Sequence, residues 1–351
     1  MNKILTILLF ICFINIQIKA EQQFKDLIVT NKYICGLTDN GQLKLFDKYN
    51  GKEIDKNIFN ASEILLITSD KTDRLIIVDR NNFIKRYDEQ KNTWETISKY
   101  EGNVYGILSD SKNNYYLITE LGIEDVQSHK LYYSDQSLNH QIKFNNKWGK
   151  PYCFYIDKSD RIWLGFGYGE WGGNLVVFDT SNRNFITPIL DSFNIELWPI
   201  KSFFEDSTSI YLSSGLAHMF TSGTIIRITN LKATTLFYSK SYLSEPRSDG
   251  MQTMIPAEYI GPAAFNEYNN SIYFYSQSGF FKGIKTKDLS KIENWEIILK
   301  PKLHWKGGQV DALGSPMNVL KFAIIDSSKF VFLSQNDGIG FFNGVELTML
   351  K

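Results

Sequence analysis

One unit recurs seven times in this chain, and it constrains the fold more than any other feature. A turn rich in Asp or Asn leads into a strand centred on a large apolar residue, then a connection that often holds Gly, then another strand. The copies are "ICGLTDNGQLKLFD", "DKTDRLIIVDRNNFIKRYD", "DSKNNYYLITELG", "DKSDRIWLGFGYGEWGGNLVVFD", "EDSTSIYLSSGLAHMFTSGTIIRI", "EYNNSIYFYSQSGFFKGI" and "DSSKFVFLSQNDGIGFF". Their apolar strands centre on Ile34, Ile76, Tyr116, Trp163, Tyr211, Tyr273 and Val331, at intervals of 42, 40, 47, 48, 62 and 58 residues. Each interval leaves room for four short strands. Aromatic residues make up 15% of the chain, prolines number only eight and long runs with helical apolar spacing are missing, so the segments between turns read as strands.

A single four-stranded antiparallel sheet cannot bury both of its faces. Several arranged radially bury each face against a neighbour, and a blade of this kind takes about 40 to 50 residues. The expected fold is therefore all-β, a seven-bladed β-propeller of four-stranded antiparallel blades filling residues 21–351 as one domain. A sandwich with a smaller second domain is the rival all-β arrangement, but nothing in it requires the same turn in every unit.

The fourth copy carries a likeness. Asp157, Ile162, Trp163, Gly165, Gly172, Gly173 and Leu175 follow the pattern of an Asp turn, an Ile-Trp-x-Gly strand and a Gly-Gly-Leu approach to the next strand. In this it resembles the β-propeller repeats of the two-component-regulator type, found in the periplasmic sensor halves of hybrid histidine kinases. The resemblance implies a propeller. No kinase module is read in the sequence, so signalling is not carried across with the fold. The same stretch contains a literal GxGxxG in Gly167, Gly169 and Gly172. A dinucleotide site needs a helix after those glycines, and "NLVVFD" reads as a strand, so they are expected to serve a hairpin connection.

Residues 1–20 have the layout of a secretory signal peptide: Lys3, an apolar run from Ile4 to about Ile14, then a polar stretch ending at Ala20. The run is short for a membrane span, and Cys12 lacks the small residues of a lipidation site before it. A secreted or periplasmic chain without a membrane span is expected. Loss of Lys3 and Lys19 leaves 36 basic against 38 acidic residues, so no field large enough to hold a polyanion is evident and no nucleic-acid partner is expected. Cys35 and Cys153 then remain, in non-adjacent blades, and are expected to be unpaired, buried fillers.

In a propeller, the connections between first and second strands lie on one face with those between third and fourth. The first set is tight here ("DKTD", "DSKN", "DKSD"), so length variation falls on the opposite face. Long second-to-third connections are read in "LGIEDVQS", "GYGEWGG" and "GLAHMFTSG", and long links between blades at 241–261 and about 301–317. Trp148, Trp171, Trp198 and Trp305 map to that face, and large rings in hydrophilic loops favour a ligand-facing role over a plug between blades.

The candidate ligand-binding residues are Tyr168, Glu170, Trp171, Trp198, His218, Arg247 and Trp305. Glu170 beside Trp171 offers an acceptor next to an aromatic platform, which suits a sugar or an amine; capping of loop amides is its plainer role. His218 and His304 share these loops without forming a metal motif. Arg247 could take a carboxylate, or pair with Glu245 or Asp249. Glu124 and Asp125 read as a solvated acidic loop, and His129 and His140 as outer-strand residues of blade three.

There is no GxSxG, HExxH, P-loop, EF-hand loop or CxxC, and no cofactor is assigned. A non-catalytic, exported binding module is the preferred reading, with a glycan or small molecule, or another exported or envelope protein, as partner. The alternative is a lactonase-like propeller hydrolase with acidic and amide side chains holding a metal in the central channel.

Overall fold

The computed structural model describes residues 23–54, 63–133, 149–191, 193–218, 220–304 and 318–351. Seven antiparallel sheets follow one another, each built from strands consecutive in sequence. Blade 1 comprises Phe24–Val29, Tyr33–Thr38 and Leu43–Asp47, with a bridge between Phe46 and Glu53 at the place of a fourth strand. Blades 2 to 7 have four strands each, and begin at Ile64, Val104, Cys153, Ile200, Ala263 and Val319. The fold is a seven-bladed β-propeller. The seven first strands form the inner ring, each neighbouring the next, and that of blade 1 also neighbours that of blade 7.

The core is correspondingly divided. Among the described residues seven apolar clusters occur, each between two adjacent blades. The second strand supplies the centre of each, because its residues are covered by sheet on both faces and its β-branched and aromatic side chains fit that setting. Ile34, Ile76, Tyr116, Trp163, Tyr211, Tyr273 and Val331 are all buried. The seam between blades 7 and 1 is packed by Phe24, Leu27, Ile34 and Phe46 against Val331, Leu333, Ile339 and Phe341. No strand is exchanged across it among the described residues.

The repeated Asp turn has a chemical reason. Asp70, Asp110 and Asp157 each end an inner strand, and one carboxylate oxygen accepts the backbone N–H groups two and four residues on. The other oxygen holds the side chain four residues on, at or just before the start of the second strand: Arg74, Asn114 or Arg161. In blade 4 it also takes the Trp163 Nε1–H at 2.8 Å. The fourth turn residue is left-handed, with φ of 67° at Asp73, 62° at Asn113 and 59° at Asp160, which suits Asp and Asn. Those same side chains reach the preceding blade, accepting from the backbone N–H of Asn31, Lys71 and Ser111.

Three local expectations are corrected. "LGIEDVQS" is not a long loop: Ile123–Asp125 is the third strand of blade 3, and Asp125 is buried. Asp125 belongs to a second periodic aspartate set, with Asp47, Asp88 and Asp179, each capping the turn from third to fourth strand. "GLAHMFTSG" is also largely strand, since Ile210–His218 pairs with Phe220–Thr229. His129 lies in a turn at φ 53°, not in an outer strand, and contacts Glu124. The long link 241–261 contains the small hairpin of Tyr242–Leu243 with Met254–Ile255.

Candidate functional site

The GxGxxG of blade 4 joins two strands, Arg161–Gly167 and Gly173–Asp179, through a single 3-10 turn over Gly169–Trp171. No helix follows it. Tyr168 N–H donates to the Gly172 carbonyl at 2.8 Å and closes the loop. Gly172, at φ 82°, lies so near the Glu196 carbonyl that a Cβ would come within 1.6 Å of its oxygen. The loop therefore rests backbone to backbone on Ile195–Leu197, which leaves the side chains of Glu170 and Trp171 pointing outward. Trp171 is 65% exposed.

Beside this loop lies a cleft of about 410 Å³, in the range of small-ligand sites. Tyr168, Glu170 and Trp171 form one wall, and Gly215, Leu216 and Ala217 of blade 5 contribute another. Tyr152, Pro199 and Lys201 complete the lining. Tyr168 packs on Phe166, with ring centroids 6.4 Å apart, and burial pushes its phenol up to about 12.

Lys201 is the residue that sequence reasoning missed. It stands in the inner strand of blade 5 and is 5% exposed. Ile200 pairs with Ser214 and Ser202 with Ser213, so Lys201 is the extra residue of a β-bulge. Such a bulge re-aims a side chain that regular pairing would send elsewhere. Its Nζ lies 4.5 Å from the centroid of the Tyr152 ring and 5.9 Å from that of Tyr259. Among the described residues it has no carboxylate partner. Desolvation lowers its ammonium to about 8, and only the Cys153 thiol, itself pushed up by burial, acts on it in the opposite sense. Burial likewise raises Tyr152 to about 12 and Tyr259 well above the usual phenol range.

The same bulge occurs at the start of the inner strands of blades 1, 2, 3 and 7, at Lys25, Leu65, Tyr105 and Leu320. Lys25 donates to the Ile64 carbonyl at 3.2 Å. Burial lowers its pKa, Asp39 and Asp26 oppose that effect, and Arg80 and, least, Lys150 from the approach to blade 4 add to it. Lys321 pairs with Asp26 across the seam. The charges met at this end of the inner ring are thus of both signs, with Lys25, Lys150, Lys201 and Lys321 outnumbering Asp26 and Asp39. Acidic side chains converging on a metal were the mark of the hydrolase alternative; among the described residues no group of three or more His, Cys, Asp or Glu is gathered.

The other candidates are dispersed. The Trp198 ring packs edge-on against Tyr238, at 5.8 Å and 88°, and does not line the cleft. Arg247 is exposed in the hairpin link, where its N–H donates to the Met251 carbonyl. The backbone of His218 ends a blade 5 strand next to Ala217. His304 is held by Asp337 of blade 7. Trp148, Trp305, His140 and the signal segment 1–20 lie outside the described residues. Cys35 is buried as expected, but Cys153 is only half-buried and borders Lys201 electrostatically.

No protein-family model matches the chain, and no curated protein does. Solved structures do. The extracellular domain of the putative one component system BT4673 from B. thetaiotaomicron aligns over 92% of this chain and 38% of its own length, at 15% identity and a TM-score of 0.52. PorZ, a bacterial surface component of the type-IX secretion system of Porphyromonas gingivalis, aligns over 92% and 46%, at 14% identity and a TM-score of 0.55. The Cps50 (Swd1) β-propeller domain from Myceliophteria thermophila aligns over 92% and 97%, at 8% identity and a TM-score of 0.56. The likeness is one of fold. The sensor-type propeller that blade 4 resembles is thus among the structures this one matches, and the chain spans less than half the length of the first and second of these. Among the described residues no helix is long and apolar enough to cross a membrane.

Proposed function

We propose that the chain acts outside the cytoplasm as a propeller binding module, and that a saccharide occupies the cleft between the blade 4 loop and blade 5. The exposure of Trp171 carries this reading. A large ring kept 65% in water at the rim of a concave site loses apolar burial unless a ligand covers it. A pyranose presents a flat face of C–H groups to such a ring and hydroxyls to acceptors beside it, and Glu170 supplies a carboxylate there. The extracellular and surface settings of two propellers of like fold support an exported role, as does the signal-peptide layout of residues 1–20.

The test is an oligosaccharide array probed with the wild type, Trp171→Ala and Trp163→Ala. Trp171→Ala should leave the melting point nearly unchanged and weaken saccharide binding by about 1 to 3 kcal/mol, the scale of one aromatic anchor. Trp163, wholly buried and hydrogen-bonded to Asp157, should cost ~3 to 5 kcal/mol of stability on truncation to Ala. Equal melting losses for the two variants, or full saccharide binding by Trp171→Ala, would reject the reading.

A further inference from the structure

We propose that the saccharide taken by this cleft is an acidic one, a uronic acid or uronate-bearing oligosaccharide whose carboxylate docks on the Lys201 ammonium; this deepens, and rests on, the saccharide reading above. A lysine 5% exposed is rare without an anion beside it, because burial withdraws the water that would solvate the charge. Lys201 has two aromatic rings for neighbours and no carboxylate among the described residues. Rings stabilise an ammonium through their faces but accept none of its three N–H bonds in the usual sense. Lys201 lines the same cleft as Trp171. A ligand that stacks on the tryptophan and carries a carboxylate would supply both the missing charge and the missing acceptors.

A second observation favours an anion. Lys25, Lys150 and Lys321 also stand at this end of the inner ring, against two carboxylates, Asp39 acting on Lys25 and Asp26 engaged by Lys321. The whole chain has as many acidic as basic residues, 38 of each, so this local excess of lysine does not follow from a basic composition. A neutral sugar would leave the Lys201 charge uncompensated and more completely desolvated than before. An acidic sugar would not.

Protonation gives the proposal a second readout. Docking needs the charged amine, and burial lowers the Lys201 ammonium to about 8. The titratable groups facing it are Tyr152, Tyr259 and Cys153, all pushed upward by burial, so none of these three gives up a proton in that window; the Glu170 carboxylate lines the same cleft beside Trp171 and is left to the ligand's hydroxyls. Affinity for the acidic ligand should therefore fall as pH rises from about 7 to about 9.

The experiment titrates glucuronate- and galacturonate-containing oligosaccharides, and their neutral methyl esters, into the wild type, Lys201→Met and Trp171→Ala. The acids should bind the wild type at least about tenfold more tightly than the esters, in line with a charge-assisted pair. Lys201→Met should erase that ratio while still binding the esters, and Trp171→Ala should weaken both. The fall in acid affinity between pH 7 and 9, absent for the esters, tests the wild type without any substitution. Equal binding of acids and esters that still depends on Trp171 would overturn the acidic assignment and keep the saccharide reading. Failure of every saccharide to bind the wild type would overturn both.

Discussion

Lys201 holds its proton less firmly in the folded protein than in the unfolded chain, and this fixes how stability responds to pH. Below about pH 8 the amine is charged in both states, and the folded state bears the full cost of burying it. As pH rises from there toward the ordinary lysine range, the unfolded chain carries more protons than the folded one, so stability rises. The displacement to about 8 corresponds to roughly 3 kcal/mol. Lys201→Met should be more stable than the wild type at pH 7 by an amount of this order, and the gap should shrink to about 1 kcal/mol by pH 10. Urea titrations of both proteins at the two values would show it. A gap independent of pH would mean that the amine is well solvated. Trp171 and Trp163 illustrate the opposite pole: one indole sits in water, the other has no exposed surface and a carboxylate on its nitrogen.

At the scale of the element, the turns between inner and second strands do two separable jobs. Asp157 organises its own hairpin through four hydrogen bonds, from Ser159 N, Arg161 N, Arg161 Nε and Trp163 Nε1. Asp160 instead binds the neighbouring blade, accepting from Ser111 N at 2.8 Å and its hydroxyl at 2.6 Å. Asp157→Ala should cost about 3 to 5 kcal/mol, since it strands buried donors. Asp160→Gly, which keeps the left-handed backbone at φ 59°, should cost only about 1 kcal/mol. Chemical denaturation of the two variants checks the order; a reversal would mean that the link between blades outweighs the hairpin. These turns and the second strands were legible in the sequence because both are local: an aspartate, a left-handed Asp or Asn, and an apolar run follow within ten residues. The third strand of blade 3 was not, because Gly122, Glu124 and Asp125 have loop-like composition while Asp125 is in fact a buried turn cap. The exposed position of Trp171 could be read from its Gly-rich surroundings. The floor of the cleft could not, since Lys201 owes its direction to a slip in pairing with Ser213 and Ser214, and pairing register is not written in either strand alone.

At the scale of the molecule, every blade is one unbroken stretch of chain, and the seam between blades 7 and 1 closes through side-chain packing with no shared strand among the described residues. The connection between blades 5 and 6 carries an exposed hairpin around Arg247. Covalent continuity at that point contributes little that the interfaces do not already supply. Cleavage at a specific protease site inserted between Arg247 and Gly250 should leave a five-blade piece and a two-blade piece that elute together at the size of the intact protein. Separation of the pieces on gel filtration would contradict this. The same logic allows the two pieces to be expressed apart and to reassemble on mixing, with Lys201 and Trp171 both carried by the larger one. The protein is in this sense an assembly of subunits that happen to be tethered, and fragment complementation would expose that hidden quaternary character.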